Sequence, residues 1–204
     1  ITDDKSIEMM ERIDYDFSKF DKAWKSQIGV VIRTELLDNA TKAFINKYSD
    51  AIIINIGCGL DTRFSRLDNG KICWYDLDLP EAISVRRQFF SETDRYKMIA
   101  KSVFDHSWID EIGPSNKPVL IIAEGVFMYF TEQEVKNLIN MLIASFRETQ
   151  MLIEIISPTI RKISKQHDSL GKMDAKFQWG IKSGKEIEKY NDKIKFIDEW
   201  NYFD

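Results

Sequence analysis

Ala51-Ile52-Ile53-Ile54-Asn55-Ile56-Gly57-Cys58-Gly59-Leu60-Asp61-Thr62-Arg63 is the stretch whose reading decides the fold. Its first six residues are β-branched or apolar on both faces, with Asn55 the one exception. A run of that kind suits a central parallel strand, because helices cover both of its faces. Upstream, Leu36, Leu37, Ala40, Ala43, Phe44 and Tyr48 recur at helical spacing. Downstream, a second strand is predicted over Ile72–Asp78. Pro80 then stands where a first helical turn tolerates it, and the helix carries Ile83, Arg86, Arg87 and Phe90.

The alternation continues. A third strand is predicted near Lys97–Ala100 and a fourth, wholly apolar, over Val119–Ala123. Thr131-Glu132-Gln133-Glu134 matches a capping box and opens a periodic helix through Val135, Leu138, Ile139, Leu142, Ile143 and Phe146. Met151–Ile156 reads as a fifth strand closed by Ser157-Pro158. Charged helical segments follow, then a strand-like alternation over Ile194–Tyr202. Strands alternating with helices give a doubly wound, Rossmann-like α/β sheet with right-handed crossovers and helices on both faces. Residues 1–32 read as a helical lead-in and 33–204 as the α/β core of one domain.

Composition narrows the function classes. Of 204 residues, 44% are apolar and 30% charged, and the formal charge of -4 leaves no basic footprint for nucleic acid and no polybasic membrane patch. The longest nearly apolar stretch, Pro118–Phe130, is interrupted by Glu124, so no membrane span is expected. Cys58, Cys73, His106 and His167 have no metal-ligand spacing. The expectation is a cytoplasmic, metal-free protein. No signal peptide is visible, and a chain opening at Ile1 is expected to have lost its natural start.

In sheets of this kind the ligand lies beyond the carboxyl ends of the strands, at the switch point near strand one. Gly57 and Gly59 let backbone amides approach a ligand with no Cβ in the way. Asp78, about 20 positions on, is placed to accept hydrogen bonds from ribose hydroxyls, with Asp76 as a substitute. The third glycine of a dinucleotide fingerprint is missing, and Asp61 stands at the start of the following helix. A carboxylate there would occupy the positive end of the helix dipole and repel a pyrophosphate. S-adenosylmethionine carries no phosphate; it brings a sulfonium, an ammonium and one carboxylate. Glu124, at the end of strand four, needs a cation nearby to stay ionised. Either the ammonium of such a ligand or an arginine or lysine of the chain would meet that need.

An ordered set of segments carries a resemblance. Arg33-Thr34, Asn55 through Arg63, Trp74-Tyr75-Asp76-Leu77-Asp78-Leu79-Pro80, and Ala123-Glu124-Gly125-Val126-Phe127-Met128-Tyr129 resemble the leucine carboxyl methyltransferase family, with its bacterial branch of polyketide-associated O-methyltransferases. The match runs roughly from Arg33 to Phe146. It implies a class I methyltransferase sheet with S-adenosylmethionine as cofactor. It also implies roles: Arg33 on the cofactor's carboxylate, Gly57 against its methionine part, Asp78 on the ribose, Ser102-Val103 along the adenine and Glu124 facing the amino group. Tyr129 is similar to residues near the transferred methyl and is the candidate catalytic residue. Arg33 has a physical reason as well, since its planar fork matches a carboxylate in two hydrogen bonds.

Three departures from the family pattern stand out. Cys58 replaces a frequent alanine and reads as packing. Ser102 replaces an aspartate that contacts the adenine amine in some relatives, a contact Asp105 could supply. The fold usually ends with a sixth strand and an antiparallel seventh, so either the natural protein is expected to continue past Asp204 or the sheet is expected to close differently.

The acceptor is expected to be a carboxylate or hydroxyl of a small molecule or peptide. A carboxylate, with a pKa of about 4, is ionised at neutral pH, whereas an alcohol needs a positioned base. Candidate bases are few, namely His106, His167 and Tyr129, which tilts the reading toward a carboxylate or an acidic phenol. Phe17–Trp24 and His167–Gly184 are expected to frame the acceptor, while Met173, Phe177 and Trp179 read first as core packing. The rival readings are a non-catalytic nucleotide-binding module and an NAD(P)-dependent oxidoreductase. Asp61 speaks against the second; the sequence leaves the first open.

Overall fold

The computed structural model describes residues 2–21, 23–163 and 176–202. Five parallel strands form its sheet: β1 (Ile52–Ile56), β2 (Cys73–Asp78), β3 (Tyr96–Ala100), β4 (Val119–Ala123) and β5 (Thr149–Ile153), in the order β3-β2-β1-β4-β5. The winding reverses between β1 and β4, which pair Ile52 with Val119 through Ile56 with Ala123. The crevice at the carboxyl ends of the strands opens at that reversal.

Among the described residues, seven α-helices accompany the sheet: α1 (Asp4–Arg12), α2 (Trp24–Lys47), α3 (Arg63–Leu67), α4 (Pro80–Arg86), α5 (Trp108–Ile112), α6 (Glu132–Ser145) and α7 (Pro158–Ile163). Side-chain alternation in β1 divides the core between two faces. Ile52, Ile54 and Ile56 pack with Trp108 of α5 and with Val135, Leu138, Ile139 and Leu142 of α6. Ala51 and Ile53 pack on the other side with Met9 of α1, Phe44 and Ile45 of α2, and Ile83 of α4. All five β1 residues are buried, as a strand covered on both faces requires. The capping box of α6 forms, with Thr131 accepting from the Glu134 amide and Glu134 accepting from that of Thr131.

The lead-in is helical, and α2 runs unbroken from Trp24 across residue 33 to Lys47. Several strand bounds shift. β2 begins at Cys73 and β3 at Tyr96, each one residue from the expected start. β5 covers Thr149–Ile153 instead of Met151–Ile156, because its register against β4 ends where β4 does, at Ala123 opposite Ile153. Ile155 still packs against the core from beyond the sheet.

The predicted strand over Ile194–Tyr202 does not form. Side-chain acceptors occupy its neighbourhood in place of a ladder: the Phe196 amide donates to Glu188, the Glu199 carboxylate accepts from Ser183 and Gly184, and Ile197 is exposed. The apolar residues there alternate like a strand but make no ladder with β5, an edge of the sheet. Among the described residues, the helical elements after β5 are α7 and a 3-10 turn over Gly184–Tyr190.

Candidate active site

The site is built at the carboxyl ends of β1, β2, β4 and β5, with α2 leaning over them. Gly57 leaves β1 with φ +64° and Gly59 follows with φ +46°, a region that favours glycine. At Gly57 the requirement is also steric, since a Cβ would overlap Val126 Cγ2. The Gly57 amide donates to the Leu77 carbonyl at 2.7 Å, which sets the loop against β2. The Gly59 amide donates at 2.8 Å to Asp78 Oδ2, so Asp78 already faces the glycine loop from the end of β2.

Asp61 is held by three donors: the Arg63 amide at 2.9 Å, Arg63 Nη1 at 2.6 Å and Asn55 Nδ2 at 3.0 Å. Burial pushes its carboxyl upward, an effect that the Arg63 guanidinium opposes. Thus Asp61 braces the turn into α3 as well as facing the cavity.

Glu124 lies between two arginines. One oxygen is 2.6 Å from Arg33 Nε and the other accepts from Arg63 Nη2 at 2.9 Å. Of the two cations the sequence left open, the chain supplies this pair. Arg33 Nε nevertheless has no hydrogen-bond partner among the described residues, because its N–H is not aligned with the nearby oxygen. Arg33 Nη1 meets Glu154, which also accepts from the Gly125 amide at 2.7 Å and from the Tyr202 hydroxyl at 2.5 Å. Beneath, Asp38 of α2 pairs with Arg63 at 2.8 Å and Arg66 at 2.9 Å.

Five carboxylates (Asp3, Asp38, Asp61, Glu124, Glu154) therefore meet three guanidinium groups (Arg33, Arg63, Arg66). An excess of negative charge in a partly buried cluster favours a cationic guest. A cavity of about 320 Å³ opens on this cluster, lined among others by Arg33, Gly57, Asp61, Arg63 and Glu124. That size falls within the roughly 300–1,000 Å³ range of small-molecule sites. An unaligned arginine donor, an acidic partner beside it and two loop glycines that carry no Cβ suit a ligand bearing both an ammonium and a carboxylate.

The sequence-predicted residues divide into two groups. Arg33, Gly57, Asp61 and Glu124 share the cavity, and Gly59 joins them to Asp78 through one hydrogen bond. Ser102 and Val103 follow β3, outside that cavity; the Val103 carbonyl accepts from Trp108 Nε1 and its side chain is buried. Asp105, the possible substitute for an adenine contact, accepts instead from Ser107. Tyr129 ends a 3-10 turn after β4, with its ring 5.3 Å from that of Phe177. Trp179 is core, as read, and packs on Phe127. His106 is exposed. His167 and Met173 lie outside the described residues.

Asp76 is no ribose substitute. It is fully buried and accepts from Tyr96, Trp74 and Asn55 while pairing with Arg86. Sequence reasoning missed Asp38, Arg63, Arg66 and Glu154. Glu154 carried the signal that marked Glu124, a carboxylate interrupting an apolar run at a strand end. Asp38 could have been found as an acid on the buried face of α2 between Leu37 and Thr41.

A parallel five-stranded sheet in this order, with a glycine loop after the first strand and an acidic residue ending the second, is common to class I methyltransferases and dinucleotide-binding folds, and Asp61 in place of a third glycine fits the former. The leucine carboxyl methyltransferase family model matches residues 3–143, and the chain belongs to that family. It is thus a methyltransferase, of the class whose cofactor is S-adenosylmethionine. The chain is 31% identical over 198 residues to the tetracenomycin polyketide synthesis O-methyltransferase TcmP of Streptomyces glaucescens, covering 97% of this chain and 73% of TcmP. It is 28% identical over 182 residues to the S-adenosyl-L-methionine-dependent methyltransferase dpfgK of Gibberella zeae, covering 82% of this chain and 61% of that protein.

Solved structures agree on the fold. A methyltransferase of Thermobifida fusca superposes with a TM-score of 0.63 at 12% identity, over 79% of this chain and 65% of the other. The magnesium protoporphyrin IX methyltransferase ChlM of Synechocystis, with bound SAH, gives 0.53 at 11% identity, over 92% and 80%. Among the described residues no helix is long and apolar enough to cross a membrane, and no group of His, Cys, Asp and Glu could hold a metal ion.

Proposed function

We propose that this chain transfers a methyl group from S-adenosylmethionine to an oxygen of a small-molecule or peptide acceptor, either a carboxylate or a hydroxyl. The observation that carries this reading is the 2.6 Å approach of Arg33 to Glu124 at the mouth of the glycine loop. Arg33 holds the cofactor's carboxylate with a planar fork. Glu124 receives its ammonium, and Gly57 and Gly59 let the methionine part approach the backbone. Asp61 keeps the loop in place, Asp78 takes the ribose hydroxyls, and Ser102 and Val103 border the adenine. When bound, the cofactor supplies a methyl carbon activated by a sulfonium.

The remaining work is alignment and exclusion of water, and good alignment can supply on the order of 7 kcal/mol or more. Tyr129, beyond the end of β4, stands on the acceptor side of this arrangement. Exposure of His106 leaves few candidate bases there, which favours an acceptor already ionised or readily so. The oxygen specificity named for TcmP supports the same choice. Action in the cytoplasm, without nucleic acid as a partner, fits the acidic composition.

The test is transfer of labelled methyl to a panel of carboxylic acids, phenols and C-terminal carboxyl peptides. Label released as methanol by mild alkali marks an ester; label that resists is assigned to oxygen, nitrogen or carbon by the methyl chemical shift of the product. Transfer solely to nitrogen or carbon would overturn the proposal.

A further inference from the structure

Arg86 lies under the glycine loop, fully buried, and has no part in the roles assigned above. Its guanidinium makes four separate contacts. Nη1 donates to the Gly59 carbonyl at 2.9 Å and Nη2 to the Asp61 carbonyl at 2.6 Å. Nε donates to the Tyr96 hydroxyl at 3.0 Å, and Nη2 pairs with Asp76 at 2.6 Å. Tyr96 in turn donates to Asp76 at 2.6 Å, and Phe90 stacks beneath the guanidinium at 4.1 Å. Asp76 fixes the fork from one side, and the two loop carbonyls receive it on the other.

A trans peptide is planar, with its C=O and N–H pointing in opposite directions. Drawing the Gly59 carbonyl down onto Arg86 therefore turns the Leu60 N–H away from Arg86, and Leu60 lines the cavity that Arg86 does not reach. The Leu60 amide has no hydrogen-bond partner among the described residues, whereas those of Gly59 and Asp61 are bonded. Nothing else among the described side chains grips both carbonyls of this turn. Lysine carries a single point charge with rotating donors and cannot reproduce a planar fork shared between two carbonyls, a phenol and a carboxylate.

We infer that Arg86 is the positioning residue of the cofactor loop, holding the Gly59–Asp61 backbone so that the Leu60 amide faces the ligand. The inference rests on the proposal that this loop binds S-adenosylmethionine. Its action is at the cofactor, through the loop, and leaves the acceptor side untouched.

Calorimetric titration of S-adenosylhomocysteine into wild type, Arg86→Lys and Tyr96→Phe tests it, alongside backbone hydrogen exchange over residues 57–62. Arg86→Lys is expected to raise the cofactor Kd by about tenfold or more at unchanged stoichiometry. Exchange should rise within the loop and stay unchanged in β4 and α6, and the acceptor KM should not move. Tyr96→Phe, which removes one hydroxyl and keeps the guanidinium, is expected to fold and to raise Kd by a few-fold. It decides the matter if Arg86→Lys does not fold. A wild-type Kd in folded Arg86→Lys, or in Tyr96→Phe if that alone folds, overturns the inference. So does a rise in exchange spread evenly over the sheet. Failure of the wild type to bind S-adenosylhomocysteine would sink the cofactor reading itself, a separate outcome.

Discussion

Asp3 accepts a hydrogen bond from the Thr62 hydroxyl at 2.5 Å, joining the first turn of the lead-in to the turn that enters α3. The same carboxylate caps α1 at Ser6 and pairs with Arg66 at 2.7 Å. The lead-in is therefore attached to the loop that forms the cofactor cavity, and Asp3 itself lines that cavity.

A pH dependence follows. Burial pushes the Asp3 carboxyl upward, but the hydrogen bonds from Thr62 and Ser6 and the charge of Arg66 outweigh it, leaving the pKa below the ordinary value. A carboxyl lowered in the folded state contributes stability that is present above its unfolded pKa and lost as pH falls through the folded one. Hydrogen-exchange protection of residues 4–12 is expected to hold above about pH 4 and to fade below it. Asp3→Asn should weaken that protection at neutral pH as well. Equal protection in both proteins would show that the helix is docked without Asp3, by Met9 packing and the Arg12 contacts to Gln88 and Phe89.

Gly57→Ala meets two costs. The φ of +64° is unfavourable for alanine by about 1–2 kcal/mol. Overlap with Val126 adds about 1–3 kcal/mol. Denaturant unfolding should show both in Gly57→Ala and chiefly the backbone part in the Gly57→Ala, Val126→Ala double variant, judged against Val126→Ala. Purely additive effects would mean that the valine does not crowd this site.

Cys58 is expected to be inert. Burial pushes its thiol well above the usual range, and the neighbouring Asp76 carboxylate adds to the effect. A thiol-reactive disulfide reagent at mildly alkaline pH should spare Cys58 in the folded protein and label it after unfolding. Cys58→Ala should retain methyl transfer and lose about 1 kcal/mol of stability. Rapid native labelling, or loss of activity in Cys58→Ala, would give this residue a chemical part.

How far the sequence could be read depended on where the determining interactions lie. β1 was legible because a strand buried on both faces is apolar nearly throughout, Asn55 excepted, and the glycine loop because positive φ selects its residues. The ends of β5 were less so: register against β4 cuts it at Ile153, while the apolar run continues to Ile156. Ile194–Tyr202 alternates like a strand, yet no rule of composition supplies an edge to pair with it. At the site, single residues such as Arg33, Asp61 and Glu124 could be picked out. Their partners could not, because Arg63 with Glu124 and Arg33 with Glu154 are 61 and 121 positions apart. Distances of that kind are set by the strand order, and one sequence does not contain them.

The central claim is that Arg33 and Glu124 hold the amino-acid end of the cofactor. The direct measurement is calorimetric affinity for S-adenosylhomocysteine against 5′-methylthioadenosine, which lacks that end, in wild type and in the Arg33→Met, Glu124→Gln double variant. A hydrogen bond to a charged group contributes about 1.5–3 kcal/mol, so two of them predict a wild-type preference of about a hundredfold or more for S-adenosylhomocysteine. That preference should largely vanish in the double variant. Equal wild-type affinity for the two compounds, or a preference that survives the double substitution, would contradict the account.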